Sequence, residues 1–309
     1  MSREREGILL CLLAAVAYST QPILAKFAYA ASVGVVSLLI VRYLVSAGVF
    51  WALVGGRAVP LPPRSIAVRA FLLGLLGTSV QVFLFATALT RLDATLGSLL
   101  LYSFPAMVAA GAILSGQERP SARRLVALLI ASTGVILVLG GAGGGGWDTV
   151  GVLCALGSAL GAAIYLLLRH RLLATATPLP LATLGESGAG LAFLVAGGVT
   201  GQLAFDFAPW GWWPVVGLAI VSAIALAASL AGMARVGPTT TGIVMMAETP
   251  LTVVIAYLAL GERLLPPQLA GGALVIAAVV LLQLGHRTSV REAAQPDRDV
   301  IEPVPPAPL

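Results

Sequence analysis

Three ionisable side chains, Arg42, Glu186 and Glu248, stand deep inside apolar stretches. Charge at membrane depth is expensive, so such residues pair with one another, bind charged solutes or relay protons, and each is a functional residue by default. Arg42 and Glu186 are 144 residues apart, which puts opposite charges at equivalent positions of a repeat. That pair reads either as an internal salt bridge or as a gate and substrate-charge site whose pairing changes. Glu248 precedes Pro250 by two residues and lies about 15 Å into its span by the helical rise. A carboxylate there could hold an ammonium group or carry a coupled proton. Its repeat equivalent is Ser103, so symmetry alone does not demand the charge.

Polar or adaptable groups of comparable depth are Thr78, Gln81, Ser98, Tyr102, Ser222 and Met245. Gln81 and Tyr102 suit a pocket best, one as donor and acceptor, the other as an apolar face with a polar tip. Tyr18, Gln21 and Tyr165 are further candidates. For each of them the competing reading is a hydrogen bond that ties two helices together. Pro105 and Pro250 are expected to interrupt two helices at matching points and act as hinges, with Pro22 supplying a third break.

Enzyme chemistry finds little support. The two histidines, His170 and His286, fall at span ends, and the two cysteines, Cys11 and Cys154, lie within apolar runs. No HExxH, no Cys/His cluster and no carboxylate pair at ligand spacing occurs, so no metal and no cofactor is expected. No phosphate-binding GxxxxGK[ST] loop is present either, which argues against direct ATP-driven pumping.

The elements that must position these groups follow from composition. Hydrophobic residues make up 59% of the 309 and charged residues only 10%, against about 25% charged in soluble domains, so the lipid bilayer is the solvent. Ten stretches could cross it as helices, near 7–29, 34–54, 69–91, 93–115, 122–140, 150–170, 179–200, 212–235, 238–260 and 266–285. The fold class is therefore an all-α integral membrane protein. With the N-terminus inside, most Arg residues, including Arg57, Arg64, Arg69, Arg119 and Arg235, fall in inner segments, while Lys26, Arg91 and Arg263 lie at outer ends. That asymmetry places both termini in the cytoplasm, and it accounts for the net charge of +5 without a nucleic-acid partner. Trp147, Trp210, Trp212 and Trp213 collect at outer ends as interfacial anchors.

The chain repeats itself. TLGSLLLYSFPAMVAAGAILSGQE from Thr95 returns as TTGIVMMAETPLTVVIAYLALGE from Thr240, with Pro105/Pro250 and Gly116/Gly261 each 145 residues apart and Glu118/Glu262 144 apart. Five spans per copy is odd, so the second copy is expected upside down relative to the first. This divides the chain into a first repeat at 1–140, a glycine-rich linker at 141–149, a second, inverted repeat at 150–287, and a disordered cytoplasmic tail at 288–309. A cleaved leader at the N-terminus is disfavoured because Gly7, Leu9, Leu12 and Ala15 align with Gly151, Leu153, Leu156 and Ala159. Small-residue spacings at Gly74 with Gly77 and Gly157 with Gly161 predict close helix approach.

The twin P-x(10)-G segments, each followed by Glu118 or Glu262, the apolar hairpins after them and the opening GILLCLLAAVAYS resemble the drug/metabolite transporter superfamily in its ten-helix EamA-type branch. The resemblance implies a central cavity enclosed by spans 1–4 and 6–9. It puts spans 5 and 10 at the periphery, where a second copy would form a homodimer. It further implies a multi-pass carrier of the bacterial inner membrane that exports small metabolites, amino acids foremost, by alternating access. Drug or organic-cation efflux on the same fold is the nearest alternative; a non-transporting membrane protein or a channel fits less well.

Overall fold

Large apolar side chains point outward along most helices, among them Leu9, Val16, Leu76, Leu153, Leu160 and Leu258, while small residues such as Ala14, Ala15, Ala155 and Ala159 are fully buried. That inversion of the soluble pattern suits helices that satisfy their own backbone groups and face lipid. A computed structural model describes residues 3–114, 122–140, 148–173 and 177–294. It is all-helical: α1 Arg3–Ala30, α2 Val35–Gly56, α3 Arg64–Leu72, α4 Ser79–Leu89, α5 Ala94–Leu101, α6 Phe104–Leu114, α7 Ala122–Gly140, α8 Thr149–Leu173, α9 Pro178–Thr200, α10 Trp212–Met245, α11 Glu248–Leu260 and α12 Pro266–Ala294. A π-helical segment, Leu73–Thr78, joins α3 to α4. By length and apolar composition, eight segments could each cross a membrane. Leu125–Val138 and Pro266–Leu281 are shorter apolar stretches among the described residues.

The helices pair across the two halves of the chain. α1 lies along α10 and α4 along α8, α2 crosses α9, α5 meets α11, and α7 packs on α12. A shift of 144 residues exchanges the first two pairs and maps the α2–α9 and α7–α12 pairs onto themselves, which is the contact pattern of a pseudo-twofold relation.

Individual atoms repeat it. A Cβ on Gly7 would stand 2.5 Å from Val236 and 2.8 Å from Arg235; one on Gly151 would stand 2.8 Å from Leu92 and 3.0 Å from Arg91. Arg91 pairs with Asp148 at 2.9 Å, and its equivalent Arg235 approaches Glu6 at 3.8 Å. The Gly151 N–H and the Arg91 guanidinium hold the Asp148 carboxyl below its usual range. Both ion pairs are exposed and fasten helix ends only weakly.

The expected close approaches are specific. A Cβ on Gly74 would overlap the Gly185 carbonyl oxygen, while Gly161 abuts Gln81 and Gly77 abuts Leu73 and Tyr165. Gly261 caps α11 in the left-handed region (φ 68°), its N–H donating to the Tyr257 carbonyl. This is the physical reason for a glycine at that point of the repeated segment.

Two expectations are corrected. α1 runs without interruption through Pro22, which is buried, because a proline removes one hydrogen bond but the surrounding turns persist when packed. α10, by contrast, keeps the expected division: a backbone kink at Gly237 (φ 78°, ψ 167°) separates the spans Pro209–Gly237 and Thr240–Leu260. α12 extends to Ala294, past the expected start of the tail at 288. Gly116, Glu118, Trp147 and most of the linker and tail lie outside the described residues.

Candidate functional site

Two spans break at equivalent places. α5 ends at Leu101, Tyr102 and Ser103 form a turn, and α6 begins at Phe104; α10 ends at Met245, Met246 and Ala247 turn, and α11 begins at Glu248. The turns close with three-residue bonds, Ser103 N–H to Leu100 O at 3.1 Å and Ala247 N–H to Val244 O at 3.1 Å. Pro105 and Pro250 fall in the first turn of the following helices, where a missing N–H costs no intrahelical bond. The interruptions thus precede the prolines by two to four residues. Pro250 itself is exposed.

Because α5 meets α11, the two breaks face each other. The Tyr102 hydroxyl stands beside the Glu248 carboxylate and the Thr249 hydroxyl, within electrostatic reach of both. Glu248 occupies the first turn of α11, where the helix dipole favours a negative charge. Tyr18 of α1 lies within electrostatic reach of both Tyr102 and Tyr43. Around Tyr43, which is buried and stacks on Phe193 at 5.5 Å, gather Arg42, Glu186 and Tyr165. The Arg42 guanidinium carbon stands 5.2 Å from the Tyr43 ring centroid, a cation–π distance. Tyr18 thereby links a Glu248 group to an Arg42 and Glu186 group.

Seven polar atoms of the bundle are buried with no hydrogen-bond partner among the described residues: Gln21 Nε2, Arg42 Nε, Ser46 Oγ, Thr78 Oγ1, Ser98 Oγ, Ser222 Oγ and Thr249 Oγ1. Buried polar groups are nearly always satisfied, so each of these atoms calls for a polar partner; Gln21 and Arg42 line one small cavity. All but Ser46 and Thr249 were candidates from sequence. Met245, the last residue of α10, is partly buried.

Gln81 has a different task. Its Nε2 donates to Ser158 Oγ at 2.9 Å, and Ser158 Oγ donates back to the Gln81 carbonyl at 2.9 Å, so this residue ties α4 to α8. Its amide N–H is engaged in packing, as the competing reading for any polar residue in a membrane helix holds.

Two residues went unread in the sequence. Tyr43, beside Arg42, organises the charged group. Glu262 accepts the N–H groups of Ala94 and Thr95 at 2.8 and 2.9 Å, so the acid that ends the second copy of the repeated segment caps the first copy's broken helix. Its recurrence as Glu118 and Glu262 was the available signal. Glu262→Ala should lower stability by about 1–2 kcal/mol, the scale of a lost helix cap, read as a drop in melting temperature in detergent. An unchanged melt would refute the capping role.

A profile of the EamA-like transporter family matches the chain twice, over residues 5–140 and 149–284. The chain belongs to the EamA-like transporter family. Within this transporter both helix breaks, the Tyr102–Glu248 contact and the capping Glu262 fall inside the two matched copies. A curated relative, the uncharacterized transporter YcbK of Bacillus subtilis (strain 168), is 24% identical over 275 residues, covering 84% of this chain and 86% of the relative. A solved structure, described only as the crystal structure of a protein, superposes with a TM-score of 0.65 at 18% identity, covering 92% of this chain and 98% of the other. At that identity the likeness concerns the fold alone.

Proposed function

We propose that this EamA-like transporter is a secondary carrier that exports small amphipathic metabolites, amino acids foremost, across the bacterial inner membrane by alternating access. In this reading ten spans form two inverted five-helix repeats, and both termini are cytoplasmic. The observation that carries it is that two spans of an apolar bundle break at equivalent, facing places, with Tyr102 beside Glu248 there. Broken helices at a repeat interface are where carriers bind substrate. The ammonium of a substrate would displace the Tyr102 hydroxyl from Glu248, and the turns at 102–103 and 246–247 would absorb the change of angle as access switches.

Proteoliposomes loaded with a mixture of amino acids and organic cations test this directly. Saturable release of amino acids is the expected result. Saturable release of organic cations alone would move the assignment to cation efflux, which the Glu248–Tyr102 pair also suits. Unsaturable conductance would instead indicate a channel. Counterflow with and without a pH gradient then reports coupling to protons.

A further inference from the structure

Two acids compete for the start of α5. Asp93 is its N-cap by backbone, with φ −59° and ψ 150° and a carbonyl that accepts the Gly97 N–H at 2.9 Å. Aspartate is among the strongest N-cap side chains, yet this one makes no capping bond. The bonds go instead to Glu262 of the other copy, whose carboxylate accepts the Ala94 and Thr95 N–H groups at 2.8 and 2.9 Å. Asp93 is exposed and lies within electrostatic reach of both Glu262 and Lys26 of α1. Glu262 is fixed just past the left-handed Gly261 that ends α11, its own N–H donating to the Ala256 carbonyl at 3.4 Å. Its carboxylate therefore fastens the end of α11 to the start of α5.

A helix N-terminus attracts negative charge, but two carboxylates repel, so one holds it at a time. An N-cap side chain reaches the second or third N–H of its helix, here Thr95 or Leu96, and a rotation about its own side-chain bonds brings Asp93 there. The first N–H, on Ala94, is out of its reach. Asp93 thus replaces one of the two Glu262 bonds, which makes the Glu262-bonded arrangement the more stable one and keeps the other within range. The second copy offers no such exchange: Asp93 aligns with Gly237 and Pro238 at shifts of 144 and 145 residues, and neither has a side-chain acceptor.

We propose that Glu262 and Asp93 form a cap-exchange latch: Glu262 bonded to α5 holds this end of the carrier closed, and on opening Asp93 takes the helix end as Glu262 withdraws with α11. Two discrete arrangements of one helix end supply the bistable element that a switch needs. This rests on the carrier reading, in which the end of the bundle bearing Asp93 and Glu262 faces the cell exterior.

Accessibility reports the latch independently of transport. A Ser98→Cys reporter, at a buried position one turn inside α5, is placed in a Cys11→Ser, Cys154→Ser background and labelled with a membrane-impermeant maleimide in right-side-out vesicles. Glu262→Ala should raise the labelling rate about tenfold, the scale of a lost cap, because the closed arrangement alone loses its bonds. Asp93→Ala should lower the rate about tenfold, because the open arrangement alone loses its cap. Asp93→Asn caps as well as aspartate does and should label at the unsubstituted rate. Should Glu262→Ala fail to fold, Asp93→Ala against Asp93→Asn decides the matter. Labelling that stays constant or moves the same way in both alanine variants, or an Asp93→Asn that matches Asp93→Ala, would overturn the latch. Flux is measured separately in proteoliposomes without the reporter. Saturable flux with unmoved labelling would overturn the latch and leave the carrier standing. Opposed labelling shifts in a protein that shows no saturable flux would uphold the latch and overturn the carrier.

Discussion

Replacing Glu248 with Gln is expected to reduce saturable substrate flux by about a hundredfold, equivalent to about 3 kcal/mol, while leaving the protein folded. The carboxylate lies at the first turn of α11, beside the Tyr102 hydroxyl across the facing helix break. Glutamine keeps the volume and an acceptor oxygen for Tyr102, so the contact between α5 and α11 survives. What disappears is the negative charge, and with it the partner for a substrate ammonium and the capacity to carry a proton. A charged partner lost from a desolvated site costs several kcal/mol in binding systems. Tyr102→Phe should cost less, because it removes only one hydroxyl from the same acceptor. Initial counterflow rates per reconstituted protein, with melting temperature as the folding control, check both variants. A Glu248→Gln protein that transports at the normal rate would remove Glu248 from the site.

Much of this arrangement was legible in the residues, and the reason differs from case to case. Arg42 and Glu186 both come to Tyr43 because α2 and α9, which the shift of 144 residues interchanges, also pack on each other. Gly7 and Gly151 matched in sequence because each receives the end of a neighbouring helix, at Arg235 and Arg91. The fate of Gln81 was not legible: whether a buried amide faces a cavity or a neighbouring hydroxyl depends on helix rotation, and Ser158 is 77 residues away. Pro22 misled for a related reason. A proline tells which backbone bond is lost, but packing decides whether the helix bends or breaks there. The cap formed by Glu262 joins residues 167 and 168 positions apart, and only the folded bundle brings them together.

The sharpest packing prediction sets two glycines of one helix crossing against each other. Gly74 lies in the π-helical segment Leu73–Thr78 and Gly185 in α9. A Cβ on Gly74 would overlap the Gly185 carbonyl group, whereas a Cβ on Gly185 would meet nothing within 4 Å. Gly74→Ala must therefore drive the two backbones apart along a contact that Gly188 also fills, since a Cβ there would strike the Phe71 carbonyl and the Leu75 nitrogen at 2.8 Å. Backbone cannot move aside as a side-chain tip can, so a loss of at least about 3 kcal/mol or outright failure to fold is expected. Gly185→Ala should be neutral or stabilising by up to about 1 kcal/mol, the helix propensity gained. The site would register the difference as well. Glu186 follows Gly185 directly, and its approach to Tyr43 and Arg42 is set by how closely α9 lies against this segment. Melting temperatures and monodispersity of the two single variants in detergent decide the matter. Equal behaviour of Gly74→Ala and Gly185→Ala would mean that this crossing is not the close backbone contact on which the charged group is built.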